Sequence, residues 1–173
     1  MPAENVTNRL IDAMDDATSG LDVQLAALTT VETVKYTLGS PLEYRTEEPK
    51  MGQVKGWPWC LFVIEDTDIE FLDTNGYEDH VHQLYCAYCF HGEDRQAMKK
   101  IAERAALAMK RVIFKAWLFE SYCGDDVSIT QVTDPNLSYG LESAKNLPFD
   151  VPGDIFASGD IRVTVHERVV QAT

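Results

Sequence analysis

The chain lacks most signatures from which an activity is read directly. No serine stands in a Gly-x-Ser-x-Gly elbow, and His91-Gly92-Glu93-Asp94 offers acids where a phosphate-cradling loop needs glycines and a lysine. No apolar run approaches the length of a membrane-spanning helix, and Met1 to Gly20 has neither the basic start nor the apolar core of a secretory signal. Cysteine is sparse: four residues in 173, too few and too strand-like in context for a disulfide framework. These absences point to synthesis in a reducing cytoplasm. Positive charge is also short. Fifteen Lys and Arg face 28 Asp and Glu, a net charge of −13, which opposes binding to nucleic-acid phosphates or anionic lipid.

An apolar content of 45% and a charged content of 25% suit one folded domain over residues 1–173. The organising stretch runs from Trp57 to Ile113. Trp59 to Ile64 is a continuous apolar run of strand length. Asn75-Gly76 has the sequence of a two-residue hairpin turn, and Tyr77 to His91 carries apolar side chains on both parities, as a central strand covered on both faces does. A turn at Asn75-Gly76 sets Thr74 against Tyr77, Leu61 against Phe90 and Val63 against Tyr88. Asp66 and Asp68 interrupt the pattern and predict a bulge or bend.

The amphipathic helix that follows has Ala97, Met98, Ile101, Ala105, Ala108, Met109 and Val112 on its inner face. Its small residues allow close approach to a sheet. Arg95, Lys99, Lys100, Arg104, Lys110 and Arg111 make its outer face, either as a solvated surface or as a contact for the acidic edge of another copy. At the N-terminus Val6, Leu10, Ala13, Met14, Ala17, Leu21, Leu25 and Leu28 share a helical stripe, with a break favoured at Gly20. Val31 to Leu38 alternates weakly as a first strand. Val127 to Val132 and Ile161 to Val165 alternate as later strands, with Val127, Ile129 and Gln131 on one side of the first.

Two long connections remain, 39–56 and 134–158. The second holds Leu137, Tyr139, Leu141, Leu147, Phe149, Val151, Ile155 and Phe156, too apolar for a disordered linker, so it folds over its own core or is covered by a partner. The fold expected is a single α+β domain, with a mixed, mainly antiparallel sheet and two amphipathic helices packed on one face.

Three constellations could carry chemistry. His80, His82, Cys86, Cys89 and His91 resemble a zinc set as a string, but strand alternation turns His80, His82 and Cys86 away from Cys89 and His91. An EF-hand reading of Asp73 to Gly76 would put Phe71 and His82 at ligand positions that demand acids. The acids of the later loops, Asp125, Asp126, Asp134, Asp150, Asp154 and Asp160, could join His80 and His82 in a small metal-dependent hydrolase. None of these supplies a motif, so no catalytic residue, cofactor or metal is assigned, and the chain is read as a non-enzyme.

The stretch Trp57-Pro58-Trp59-Cys60-Leu61-Phe62-Val63-Ile64, the strand His82 to His91 leading into the Glu93 helix, and Gly159-Asp160-Ile161-Arg162-Val163-Thr164-Val165 together resemble the tail terminator (tail-completion) proteins of long-tailed bacteriophages, the lambda-like minor tail protein group. The likeness runs from Val6 to Val169, with longer connections here at 39–56 and 134–158. It implies a virion protein of the phage tail or neck. Such a protein forms a homo-oligomeric ring, a hexamer, which caps the tail tube and joins it to the head connector while DNA passes the lumen without specific binding. Trp57, Trp59, Arg95, Lys99, Lys100, Leu137, Tyr139, Phe149 and Phe156 are then the candidate interface residues. Another neck or tail-tube component of the same particle is the near alternative, and a binding module that grips one protein through Tyr139, Phe149 and Phe156 a further one.

Overall fold

The computed structural model describes residues 2–31, 39–47, 49, 56–71, 77–92, 95–119, 127–134, 136–139 and 155–170. In chain order these form helices α1 (Pro2–Met14) and α2 (Leu21–Val31), strands β1 (Tyr44–Arg45), β2 (Trp59–Phe71) and β3 (Tyr77–Gly92), helix α3 (Arg95–Phe119), and strands β4 (Val127–Val132), β5 (Asn136–Tyr139) and β6 (Ile155–Val170). The fold is α+β, as expected. The sheet runs β1-β2-β3-β6-β4, with β5 beside β6, and among the described strands only the β1–β2 pair is parallel.

Three helices cover the sheet where two were expected. The N-terminal stripe is split because Asp16 caps a turn: its Oδ1 accepts from the backbone N of Thr18 and Ser19 at 2.8 and 2.7 Å and from both hydroxyls. Gly20 then follows at a crowded point, where a Cβ would stand 2.3 Å from the Asp16 carbonyl oxygen. Ala17 therefore falls in the turn and is exposed, off the stripe that still buries Val6, Leu10, Ala13, Met14, Leu21, Leu25 and Leu28. The strand expected from Val31 begins on a residue that closes α2, and 32–38 lie outside the described residues.

The β2–β3 hairpin forms, in a different register. Val63 pairs with Tyr85 and Leu61 with Ala87, not with Tyr88 and Phe90. Two causes add. Phe71 pairs with Glu78, two residues short of the His80 that a turn at Asn75-Gly76 sets against it, and a bulge at Glu65, between Ile64 and Asp66, shifts the pairing by one more residue. The turn itself, 72–76, lies outside the described residues. The combined shift is odd, so faces exchange: Tyr88 and Phe90 join Cys60 and Phe62 beneath the helices, while Trp59, Leu61, Ala87 and Cys89 cluster on the opposite face. β3 is central and covered on both sides along its later half, as its two-parity apolar pattern indicates.

A second bulge, between Ile129 and Gln131 of β4, overturns the alternation there. Gln131 turns out to solvent and half-buried Val132 packs on the core. In β6, Ile161, Val163 and Val165 are buried under the helices and Arg162, Thr164 and His166 lie on the other face, as expected. The later connection is shorter than the pattern suggested, since β5 and the start of β6 occupy 136–139 and 155–158.

The alanine stripe of α3 sets how closely helix and sheet meet. Ala97, Ala102, Ala105, Ala106 and Ala108 are all buried with Met98, Met109, Val112 and Ile113, while Ile101 is only partly covered. At the closest point Gly159 of β6 faces Ala102, and a Cβ there would lie 2.0 Å from the Ala102 carbonyl oxygen. Backbone cannot yield as a flexible side chain does. Gly159→Ala is expected to cost about 3 kcal/mol, the upper end for overpacking, read as a lower urea midpoint at unchanged slope.

Candidate interaction surface

The face of the sheet turned away from the described helices is built in rows that cross three strands: Trp59–Cys89–Ser158, Leu61–Ala87–Asp160 and Val63–Tyr85–Arg162. The first two rows are buried and the third is only partly so. Trp59 belongs to this core. Its ring lies 5.9 Å from that of Trp57 and 6.0 Å from the Arg45 guanidinium carbon, and its Nε1 meets no hydrogen-bond acceptor among the described residues. As an interface candidate Trp59 is thus corrected, because it presents no surface. Trp57 is half-buried above it, with its ring 5.5 Å from His91, and retains an accessible side.

Beyond these rows the face turns polar and open. Arg162 donates to both carboxylate oxygens of Glu65 at 2.8 and 3.3 Å and lies 5.7 Å from the Tyr85 ring centroid. Thr164 Oγ1 donates to Gln83 Oε1 at 2.9 Å, and His166 Nδ1 stands 3.4 Å from Asp79 Oδ2. The Glu65 carboxylate holds the Arg162 guanidinium above its ordinary pKa. These groups are mutually satisfied, which suits a surface that meets water or a polar partner.

The outer edge of β2 is the second feature. β1 pairs only with Cys60 and Leu61, and among the described residues no strand pairs with the edge from Phe62 to Phe71. That edge carries the bulge at Glu65, and Glu65, Asp66 and Asp68 are exposed with Ile69. Charge and a bulge are the usual protection of an open edge against indiscriminate pairing, while a partner of opposite charge remains admissible.

The third feature is the outer face of α3. Lys99 and Lys100 are exposed, the former 3.9 Å from Glu103. Lys110 donates to Asp134 Oδ1 at 2.9 Å and lies 5.8 Å from the Phe114 ring centroid, so it serves an internal contact. This bond holds Asp134 below the ordinary carboxylate range. Arg95 opens α3, but its side chain lies outside the described residues, as do those of Leu137, Tyr139 and Phe156 and the whole of Phe149.

Of the acids in the hydrolase reading, the two among the described residues stand apart from the histidines. Asp134 is held by Lys110, and Asp160 lies on the face with Leu61 and Ala87, whereas His80 and His82 are buried on the helix side. Asp125, Asp126, Asp150 and Asp154 lie outside the described residues. Cys86 shares the histidines' face and Cys89 and His91 take the other, as alternation requires. Cys60, Cys86 and Cys89 are buried free thiols, pushed well above their ordinary pKa by burial. They behave as small apolar groups.

No family model matches the chain, and a search of the curated proteins finds no match. Among solved structures, a chain of the "Virion of native gene transfer agent (GTA) particle" is similar over 95% of this chain and 97% of that one, with 14% identity and a TM-score of 0.43. Among the described residues, no helix is long and apolar enough to cross a membrane.

Proposed function

We propose that this chain is a structural protein of a phage-type virion, a tail terminator that closes into a ring, caps the tail tube and joins it to the head connector. One observation carries the reading. The three stretches through which the sequence resembles the tail terminator group fall on β2, β3 and β6, which lie side by side as the centre of the sheet, with α3 leading directly out of β3 and back over β6. The resemblance therefore concerns one contiguous structural unit. Two exposed surfaces of that unit complement each other: the acidic β2 edge at Asp66 and Asp68, and the lysines Lys99 and Lys100 on α3. A patch that meets a different patch on the next copy is what a head-to-tail ring requires. A net charge of −13 suits the wall of a channel through which DNA must slide without being retained.

The test is the mass of the purified chain by light scattering on a sizing column, followed by electron microscopy of the peak. A closed ring of six copies is expected. A chain that stays monomeric at all concentrations and never adds to tube ends overturns the reading, and a ring found along the tube instead of at its end favours another tail component. Within the ring, Lys99→Glu with Lys100→Glu should dissociate the copies. Adding Asp66→Lys and Asp68→Lys to the same chain should restore them in part.

A further inference from the structure

At the end of the sheet beneath α1, the helix-covered face carries a polar cluster instead of apolar side chains. His80 and His82 project from β3, and Glu167 of β6 stands directly across from His80. All three are buried: His80 is 7% exposed, His82 1% and Glu167 3%. One ligand-capable atom of each lies within 4.8 Å of the other two.

The outward atoms of the three are individually held. His82 Nδ1 is 2.9 Å from Thr67 Oγ1, its neighbour across the hairpin. His80 Nε2 is 2.8 Å from Glu78 Oε2, and Glu167 Oε1 accepts from Asn5 Nδ2 of α1 at 3.2 Å. That leaves His82 Nε2 and Glu167 Oε2, which stand 3.1 Å apart, and a ring nitrogen of His80 completes the trio.

We propose that His80, His82 and Glu167 form a binding site for one divalent transition-metal ion of the zinc class. Two imidazoles and one carboxylate are a donor set suited to such an ion. Ligand atoms placed tetrahedrally at about 2.0 Å from zinc stand about 3.3 Å from one another, close to the separation already present between His82 and Glu167. Metal-ligating histidines commonly have the second ring nitrogen engaged by an oxygen, and here Thr67 and Glu78 occupy those positions. The cation would also compensate a carboxylate buried inside the chain, which otherwise relies on hydrogen bonds. Three protein ligands leave one position for water. Because Asn5 belongs to α1, the ion would fasten that helix to the sheet. This is a different set from the Cys-containing string and from the later-loop acids, since Glu167 is distant in sequence and reaches His82 only through the β3–β6 pairing.

The experiment uses the full chain, stripped with a chelator and titrated with zinc chloride alone, with stoichiometry by elemental analysis and melting followed by circular dichroism. One ion per chain is expected, with melting raised by about 5–10 °C at a hundredfold excess over Kd. Cobalt(II) in place of zinc should give the visible bands of a tetrahedral nitrogen–oxygen site without thiolate charge-transfer absorption. His80→Gln should weaken binding at least tenfold, and Cys86→Ala should leave it unchanged. Should His80→Gln fail to fold, the cobalt spectrum of the unaltered chain decides. Absence of stoichiometric binding to the unaltered chain, a thiolate-type cobalt spectrum, or binding undiminished in folded His80→Gln would each overturn the proposal.

Discussion

Trp59→Ala is expected to lower the stability of the isolated chain by about 3–5 kcal/mol, the range for emptying a large aromatic site in a core. Trp59 has no exposed surface and sits among Leu61, Ala87 and Cys89, so the cavity has few ways to collapse. The measurement is chemical denaturation of dilute, dissociated protein, in which assembly plays no part. A loss under 1 kcal/mol would mean that Trp59 serves contacts between copies and not the core. Trp59→Phe refines the test. It keeps most of the ring and removes an indole N–H that finds no acceptor among the described residues, so its cost should fall well below that of alanine.

The second large effect is alkaline lability. Burial raises the Cys60, Cys86 and Cys89 thiols, with Cys60 raised further by Cys89 and Cys86, Cys86 by Glu65 and Cys89 by Asp160. Tyr85 is pushed up to about 12, mainly by burial. In the unfolded chain a thiol releases its proton near pH 8.5, while in the native chain it is retained. Above that pH the native state binds more protons than the unfolded state, so stability is fully present below about pH 8.5 and falls as pH rises. Once the unfolded thiols are ionised, three retained protons correspond to a slope of about 4 kcal/mol per pH unit. Two units on that slope approach the whole stability of an ordinary domain. Urea midpoints measured at pH 8, 9 and 10 (about these values suffice) should therefore fall with increasing steepness. Cys89→Ala should flatten the slope by about a third. A midpoint that is level across this range would show that the thiols are open to water.

Which parts of this architecture can be read from the chain follows from the range of the forces involved. The inner face of α3 is legible because helical spacing alone brings Ala97, Met98, Ala105, Ala108, Met109 and Val112 to one side, whatever lies opposite. The two-sided burial of β3 and the parity of Ile161, Val163 and Val165 are legible for the same reason. The separation of Cys86 from Cys89 and His91 follows from alternation within one strand. The break before α2 is visible in Gly20, although the side chain that makes the turn, Asp16, carries no mark that distinguishes it from Asp12 or Asp15.

Register is a different matter. One extra residue at Glu65 and a pairing of Phe71 with Glu78 instead of His80 were enough to move Tyr88 and Phe90 from the face of Val63 to the face of Phe62. A bulge is a local compromise between two strands, and neither strand contains it alone. The same holds at Thr130, where a strand with clean alternation delivers Val132 to the core and Gln131 to water.

The amino-acid sequence by itself determined the class of the fold, the inward stripe of its helices and the acidity that repels phosphate, because each depends on residue type and on spacings within one element. Tertiary structure alone decided that Trp59 is core, that Gly159 must lack a side chain beneath Ala102, and that Glu167 meets His82. Those facts depend on which strands become neighbours and in what register, and that is set by packing summed over the whole chain.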